Sequence, residues 1–211
     1  MSAKGRGPHS GGPNDFFETP AWCVDLVAPH LNLHKARKIL EPCAGNGAII
    51  RALSRHRMGI KWGAVDIREV CRNPLASTGA AVEICDYLCT GFCFVADLVV
   101  TNPPFSLAQE FVERALETQP GAVVAMLLRV AFLASEERSD LLRRYPPDVL
   151  IIPNRPSFTA NGNTDQTDYG WFIWPAGEER KRTKGNVWVA DTTPLSVRRP
   201  PKGTKQLGLG L

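Results

Sequence analysis

A strand that leads into a glycine-rich turn and then into a helix sets the strongest limit on the fold of this chain. Residues 38–47 read KILEPCAGNG, and a helical pattern begins at Ala48. Gly45 and Gly47 permit positive φ angles and a close approach of the backbone to a ligand, and the helix N-terminus can face an anionic group. The segment predicts the first strand–turn–helix unit of a nucleotide-binding α/β sheet. An ordinary connection that binds nothing is the alternative.

Glu41, at the end of that strand, changes the ligand that the turn is expected to bind. The third glycine of the dinucleotide-binding pattern is missing, and a carboxylate here would repel a pyrophosphate. A sulfonium or an amino group would be attracted instead. We therefore expect S-adenosylmethionine, rather than NAD or ATP, as the cofactor.

Strand and helix patterns alternate along the rest of the chain. Apolar strand patterns lie at residues 61–67, 80–87, 97–101, 121–130, 149–152, 169–174 and 186–190. Helical patterns lie at residues 48–56, 106–118 and about 135–145, and the last is expected to be capped by Ser135. This alternation is typical of a mostly parallel sheet with helices on both faces. The predicted fold class is α/β, with a twisted Rossmann-like sheet.

Core residues are predicted in two of these elements. The helix 106–118 is expected to bury a stripe formed by Ala108, Phe111, Val112, Ala115 and Leu116. Trp171 and Trp174 alternate with Phe172 on a strand, and this pattern favours core packing over a role in a site.

Acidic residues end the second and third predicted strands. Asp66 can hold the hydroxyls of a ribose, as acids at this position do in many nucleoside-binding α/β sheets. Asp86 can accept a hydrogen bond from an adenine amino group, and Tyr87 or Leu88 can pack on the adenine ring. A helix cap or a turn is the alternative for Asp86.

The tetrapeptide Asn102-Pro103-Pro104-Phe105 follows the strand 97–101 and carries most of the chemistry. A planar amine can donate one N–H to the Asn102 side-chain oxygen and the other to the Pro103 carbonyl, while Phe105 offers an aromatic face for stacking. This geometry exposes the nitrogen lone pair and indicates alkylation of nitrogen. A structural Asn-Pro turn is the alternative.

These motifs, in this order, resemble those of the S-adenosylmethionine-dependent N6-adenine DNA methyltransferases, especially the small phage and prophage type. Residues 16–20 (FFETP) resemble the motif that closes over the methionine part of the cofactor. Residues 154–158 (NRPSF) resemble the loop that supports the target base. The likeness covers roughly residues 14–175.

The resemblance implies a Rossmann-like class I methyltransferase that transfers a methyl group to the N6 amine of adenine in DNA, with short or relaxed site specificity. Transfer would be direct, with no covalent enzyme intermediate and no metal. The implied catalytic residues are Asn102, Pro103, Pro104 and Phe105. The implied cofactor-binding residues are Phe17, Thr19, Pro20, Glu41, Pro42, Ala44, Gly45, Gly47, Asp66, Ile67, Asp86, Tyr87 and Asn102. The implied substrate-binding residues are Phe105, Arg155, Ser157 and Phe158.

Other activities stay open, because the same tetrapeptide occurs in some RNA and protein N-methyltransferases. An RNA adenine or protein glutamine N-methyltransferase is one alternative. A catalytically idle protein of the same fold, which binds DNA or cofactor, is another. The N-terminal motif favours DNA.

The polar segment 153–168 is long for a connection within a compact domain, which favours a functional role. Adenine within a duplex cannot reach Asn102 unless the base is flipped out. Phe105 and Phe158 can then sandwich it. Arg155 can contact a phosphate or orient the loop, and a surface salt bridge is the alternative.

Length and composition predict one catalytic domain, at residues 15–192 of the 211. We expect a disordered N-terminal tail at 1–14 and a basic, flexible C-terminal tail at 193–211, which either attracts phosphates or only aids solubility. No apolar run is long enough to span a bilayer and no signal pattern is present, so a cytoplasmic protein without a membrane partner is expected. Whether the chain is a monomer or a homodimer is left open.

Six cysteines are too few and too irregularly spaced for a disulfide scaffold, and they predict free thiols. Cys85, Cys89 and Cys93 are four residues apart, so a helix would stack them on one face, with Cys71 completing a metal site. The neighbouring Gly91 favours a loop over that helix, and zinc sites use closer paired spacings.

Overall fold

The computed structural model describes residues 18–89, 93–156 and 167–192. Both predicted tails therefore lie outside the described residues, as do Phe17, Ser157 and Phe158 among the implied site residues. Within the described residues, no helix is both long enough and apolar enough to cross a bilayer.

Eight strands and six α-helices make up the described part of the chain. The strands are β1 (Lys38–Glu41), β2 (Lys61–Asp66), β3 (Ala81–Ile84), β4 (Leu98–Thr101), β5 (Val123–Arg129), β6 (Asp148–Ile152), β7 (Tyr169–Trp174) and β8 (Val187–Val189). The helices are α1 (Ala21–Val27), α2 (Ala48–His56), α3 (Arg72–Ala76), α4 (Ala108–Thr118), α5 (Ser139–Arg144) and α6 (Glu179–Arg182). Short 3-10 turns lie at Ala28–His30, Glu69–Cys71, Phe105–Leu107 and Val130–Leu133.

All eight strands form one sheet in the order β3-β2-β1-β4-β5-β7-β6-β8. Every pairing is parallel except those of β7, which runs antiparallel to both β5 and β6. The mostly parallel α/β sheet predicted from the sequence is therefore confirmed. The strand order reverses between β1 and β4, and ligands of open α/β sheets bind at such a reversal, beyond the carboxyl ends of the strands.

The core has two layers, one on each face of the sheet. Ile39 of β1 packs against α1 and α2 on one face, and its neighbour Leu40 packs with α4 on the other. All five residues of the stripe predicted on α4 are buried, as expected. Trp171 and Trp174 are fully buried, and their indole N–H groups donate to the carbonyls of Cys23 and Tyr145. Their predicted core role is confirmed.

The helix predicted from Ser135 begins instead at Ser139, after a 3-10 turn at Val130–Leu133. The guanidinium of Arg138 explains the later start. Its Nε donates to the Phe132 carbonyl at 2.9 Å, and the group lies 4.8 Å from the centre of the Phe132 ring. Arg138 thus ties its own segment to the preceding turn.

Residues 85–89 are not helical. Cys85 directly follows β3, and Cys89 lies in the turn that comes next. Within the described ranges, no group of three or more His, Cys, Asp or Glu side chains is arranged to hold a metal ion.

Arg180, within a charged run near the end of the described chain, is a structural residue that the sequence does not single out. It is 4% exposed, and it donates to the carbonyls of Pro175, Leu116 and Ala122 at 2.9, 3.1 and 2.6 Å. Burial lowers the pKa of its guanidinium. The side chain fastens α6 to the last turn of α4.

Candidate functional site

A cleft of about 470 Å³ opens at the carboxyl ends of β1 and β4, where the strand order reverses. We call it the strand-end cleft. It is lined by Glu18, Thr19, Glu41, Cys43, Ala44, Gly45, Asn46, Ala48, Ile49, Arg68, Asn102, Pro103 and Pro104. The fold thus brings together three motifs that are far apart in the sequence: residues 18–19, the turn after β1, and residues 102–104 of the tetrapeptide.

The turn after β1 is held in one conformation by its glycines and by backbone hydrogen bonds. Gly45 and Gly47 have φ angles of 54° and 82°. The Ala44 amide donates to the Val65 carbonyl at 2.8 Å, and the Gly47 amide donates to the Ala44 carbonyl at 2.7 Å. Gly47 does not line the cleft; it is the N-cap residue that precedes α2. The predicted tight turn is present, and the Ala44 and Gly45 amides bond to the end of β2.

The Asp66 carboxylate, at the end of β2, is occupied by protein donors. It is 2% exposed and accepts from the Gly45 amide at 2.7 Å and from the Arg68 amide and Nε at 3.0 and 2.9 Å. Burial alone would raise the pKa of Asp66, but the hydrogen bonds from Arg68 and Gly45 outweigh it and lower that pKa. Asp66 does not line the cleft, and its role toward ribose hydroxyls stays a prediction.

Glu41, at the end of β1, is equally buried but has a different environment. Its Oε2 atom has no hydrogen-bond partner among the described residues, and the side chain lines the cleft. Burial raises the pKa of Glu41 well above its ordinary value, although the amide of Ile50 in α2 donates to the carboxyl and the charge of Arg51 also lowers that pKa. The negative charge of Asp66 acts in the same direction as burial. A cationic ligand in the cleft would supply the missing partner.

Asn102 lies at the end of β4 with its side-chain amide oriented by Thr19. The Nδ2 group donates to Thr19 Oγ1 at 3.1 Å, across 83 positions of sequence. The Oδ1 atom is buried and has no partner within the described part of the chain. An unpaired buried acceptor is costly, so this oxygen is a place where a ligand N–H would be favoured. The predicted role of Asn102 requires such an open acceptor.

Phe105 lies in a second cleft, of about 800 Å³, which we call the Phe105 cleft. The guanidinium carbon of Arg129 is 4.7 Å from the centre of the Phe105 ring, and the Tyr169 ring is 5.3 Å away. Pro103 and Pro104 line the strand-end cleft instead. The tetrapeptide therefore forms a wall between two clefts.

Arg155 forms a salt bridge at the base of the predicted substrate loop. Its Nε donates to Asp168 Oδ1 at 3.0 Å, with both side chains largely exposed. The Asp168 carbonyl accepts from the amide of Val130, at the end of β5. The surface salt bridge weighed as an alternative is thus present, and it fixes the loop stem beside the Phe105 cleft. The loop tip lies outside the described residues.

The residues that the resemblance implies near the adenine of the cofactor do not line the strand-end cleft. Asp86 Oδ1 accepts from the Leu88 amide at 2.9 Å, which is the turn interaction weighed as an alternative. Tyr87 is 5% exposed and packs on Phe111 of α4, with ring centres 5.5 Å apart, so it belongs to the core. Ile67 is 55% exposed at the end of β2 and offers an apolar surface there. Pro20 precedes α1 and Pro42 lies in the turn after β1.

Six lining residues are not among those implied by the resemblance: Glu18, Cys43, Asn46, Ala48, Ile49 and Arg68. Burial raises the pKa of Cys43 to about 12, and the charges of Asp66 and Glu41 act in the same direction. A thiolate is therefore disfavoured there, in line with the expectation that no covalent intermediate forms. The one sequence signal for Arg68 is its position two residues after the acid that ends β2.

Comparison with known proteins identifies the fold. No protein-family model and no curated protein matches the sequence. The structure is similar to a protein from Listeria monocytogenes assigned to the class I S-adenosylmethionine-dependent methyltransferases, with 15% identity, 80% of this chain covered and a TM-score of 0.57. This chain spans 62% of the length of that protein.

Two further structures have the same architecture. A protein from Pyrococcus horikoshii assigned as an RNA methyltransferase matches with 16% identity, over 76% of this chain and 87% of its own, with a TM-score of 0.60. The 23S rRNA methyltransferase ErmE matches with 15% identity, over 75% of this chain and 68% of its own, with a TM-score of 0.56. The chain therefore has the Rossmann-like fold of the class I methyltransferases.

Proposed function

We propose that this protein transfers a methyl group from S-adenosylmethionine to the N6 amine of adenine in DNA. The observation that carries the proposal is Asn102 Oδ1, a buried acceptor without a described partner, in the wall between the two clefts. One cleft would hold the methyl donor and the other the acceptor base.

The strand-end cleft supports the choice of cofactor through the charges that line it. S-adenosylmethionine carries two cationic groups, a sulfonium and an ammonium, on its methionine half. Glu41 and Glu18 line the cleft and would attract them. Gly45 has no side chain and permits the backbone to approach the ligand closely.

The acceptor amine would be held by the wall between the clefts. One N–H of the adenine amine would be donated to Asn102 Oδ1 and the other to the Pro103 carbonyl. Phe105 would stack on the base, which must leave a duplex to reach the cleft. When bound, the cofactor would supply its methyl group to the amine nitrogen and leave as the neutral thioether, and the nitrogen would lose a proton to solvent. Alignment and hydrogen bonding to the reacting nitrogen supply the rate enhancement.

RNA is the second candidate substrate, because the same tetrapeptide chemistry serves adenine in either nucleic acid. Two of the proteins with this fold are described as RNA methyltransferases. Their identity to this chain is 16% or lower, so the likeness identifies no substrate. DNA is favoured by residues 16–20, which resemble the N-terminal motif of the DNA enzymes.

The test is transfer of labelled methyl groups to unmodified duplex DNA, to RNA and to bulk protein, with nucleoside digestion to locate the label. We expect N6-methyladenine in DNA. Asn102→Ala should lower kcat by roughly 100-fold or more, because an oriented acceptor at the reacting group is lost. Asn73→Ala is the matched control, since Asn73 is exposed on α3.

Each other outcome has a defined meaning. Label in RNA or protein alone would overturn the DNA assignment and leave methyl transfer intact. Absence of label everywhere, with cofactor bound, would indicate the catalytically idle alternative. Equal activity of native protein and Asn102→Ala would remove the observation on which the proposal rests.

A further inference from the structure

The Phe105 ring is covered from the cleft in which a base would stack on it. The ring packs against the core, where the Tyr169 ring is fully buried and its centre lies 5.3 Å away. Arg129 is exposed and lines the Phe105 cleft together with that ring. Its guanidinium carbon lies over the ring, 4.7 Å from the centre. A base that enters this cleft and the guanidinium of Arg129 therefore compete for the same aromatic surface.

Arg129 is the partner of Phe105 that can move. It is the last residue of β5, and its long side chain is exposed. Tyr169 pairs with Arg129 across the sheet, but its ring belongs to the core. The contact of an exposed cation with a ring is weaker than the stacking of a nucleic-acid base on a ring. A base that reaches Phe105 should therefore displace the guanidinium.

The cleft itself offers the displaced guanidinium no anion that already holds it. Glu110 and Glu137 line the same cleft, but in the described part of the chain neither forms a salt bridge with Arg129. The second arginine of the cleft, Arg138, is bonded to the Phe132 carbonyl. A nucleic-acid strand carries a phosphate beside each base, and a guanidinium matches phosphate in charge and geometry. A DNA strand thus supplies both the base that displaces Arg129 and an anion that can bind it.

We propose that Arg129 exchanges partners when DNA binds: it covers Phe105 in the free protein, and it binds a backbone phosphate once a base stacks on that ring. The inference rests on the proposed function, because it takes DNA as the substrate and Phe105 as the ring that receives the base. Arg129 is not among the substrate-binding residues that the resemblance implies.

The test uses two ligands that need neither a recognition sequence nor a flipped base. One is a short single-stranded oligodeoxyadenylate, which has both bases and phosphates. The other is the nucleoside 2′-deoxyadenosine, which has the base and no phosphate. Fluorescence anisotropy measures the affinity for the oligomer over a range of salt concentrations. Saturation-transfer NMR measures the affinity for the nucleoside.

Arg129→Gln should affect the two ligands in different ways. For the oligomer, the logarithm of the affinity should fall less steeply with the logarithm of the salt concentration. The slope should change by about 0.7, because one contact to a phosphate of a single strand is lost. Binding of 2′-deoxyadenosine should become tighter by about 2- to 5-fold, because no cation then covers the ring.

Two further variants separate these effects from a general loss of charge. Arg144→Gln is the matched control, since Arg144 is also exposed and lies over an aromatic ring, 5.1 Å from the centre of Tyr145. Arg144 lines a different cleft, beside α4 and α5, so its replacement should change neither measurement. Arg129→Lys keeps the charge and should keep most of the salt dependence, because lysine also binds phosphate.

An unchanged salt dependence for Arg129→Gln would show that Arg129 binds no phosphate, and the inference would be wrong. Unchanged or weaker binding of 2′-deoxyadenosine would overturn it as well, because the guanidinium would then not compete with the base. If the native protein methylates DNA despite either of these results, the proposed function stands and only the role of Arg129 is lost. If the native protein binds neither ligand, the proposed acceptor is overturned, and this inference with it.

Discussion

The ends of β1 and β2 carry two carboxyl groups that are equally buried and differ in almost every other respect. Glu41 and Asp66 are each 2% exposed. Asp66 is surrounded by donors from Arg68 and Gly45, and its pKa is lowered. Glu41 has an oxygen with no described partner, and its pKa is raised. Burial has the same sign for both groups, so the donors around each one decide the outcome.

This difference separates a carboxylate that accepts hydrogen bonds from the protein on both oxygens from a carboxyl group with one oxygen that has no described partner. The bonds of Asp66 are made within the protein and fix the turn between β1 and α2. Glu41 lines the cleft and has one buried oxygen without a described partner, so a cation bound there would compensate the cost of ionising the buried carboxyl. Replacing Glu41 by its amide should therefore act mainly on binding, and replacing Asp66 by its amide should act mainly on stability.

Glu41→Gln is expected to have the largest effect, on cofactor affinity. The amide keeps the size of the side chain but cannot pair with a sulfonium or an ammonium. Loss of one partner of a buried charge pair costs about 3 kcal/mol, which corresponds to about a 100-fold weaker Kd for S-adenosylmethionine. Calorimetric titration measures this change, with the exposed Glu117→Gln as the control. An unchanged Kd would place the cation elsewhere in the cleft.

Asp66→Asn should act first on stability. The amide cannot serve both Arg68 and the Gly45 turn, and a partly buried guanidinium loses its counter-charge. We expect the free energy of unfolding to fall by about 2 kcal/mol. Urea denaturation measures it.

Asp140→Asn provides the matched control for that experiment. Asp140 also pairs with an arginine, Arg143, but the two side chains are 94% and 77% exposed. An exposed pair contributes roughly 0–1 kcal/mol, so this variant should lose much less. Equal losses for Asp66→Asn and Asp140→Asn would contradict the distinction between the two strand ends.

The pH dependence of cofactor binding follows from the raised pKa of Glu41. Below that pKa the free protein holds Glu41 neutral, and pairing with a cation requires release of its proton. Affinity should therefore increase with rising pH, by up to about tenfold per pH unit, and level off above the pKa of Glu41 in the free protein. Titrations in two buffers of different ionisation enthalpy count the protons released. Glu41→Gln should release fewer, and a native protein with pH-independent affinity would show that Glu41 does not ionise on binding.

Features that depend on neighbouring residues could be predicted from the sequence, whereas features that join distant segments could not. Helix α2 begins and ends where its pattern does, and the tight turn before it follows from two glycines. The pairing of Thr19 with Asn102 spans 83 positions and needs the strand order to be known.

Asp66 illustrates the same limit in a single residue. Its position at the end of β2 could be predicted. Its hydrogen bond from the Gly45 amide, at 2.7 Å, could not, because that amide belongs to another strand–helix unit. The sequence pattern predicts the start of α5 at Ser135, four residues before the observed start at Ser139, for a related reason. A local capping pattern at Ser135 competes with the contact of Arg138 to Phe132, and the side-chain contact prevails.

The smallest expected effect concerns the turn between β1 and α2, and Gly47→Ala tests it. Gly47 and Gly79 have nearly equal φ angles, 82° and 79°. Alanine at either position should cost about 1 kcal/mol from backbone strain alone. A Cβ at position 47 would also lie 3.0 Å from Thr78 Cγ2, whereas one at position 79 meets nothing within 4 Å. Gly47→Ala should therefore lower unfolding stability by slightly more than Gly79→Ala, and of the two only Gly47→Ala should weaken cofactor binding. Equal weakening of binding by both variants would show that the turn conformation does not set the geometry of the cleft.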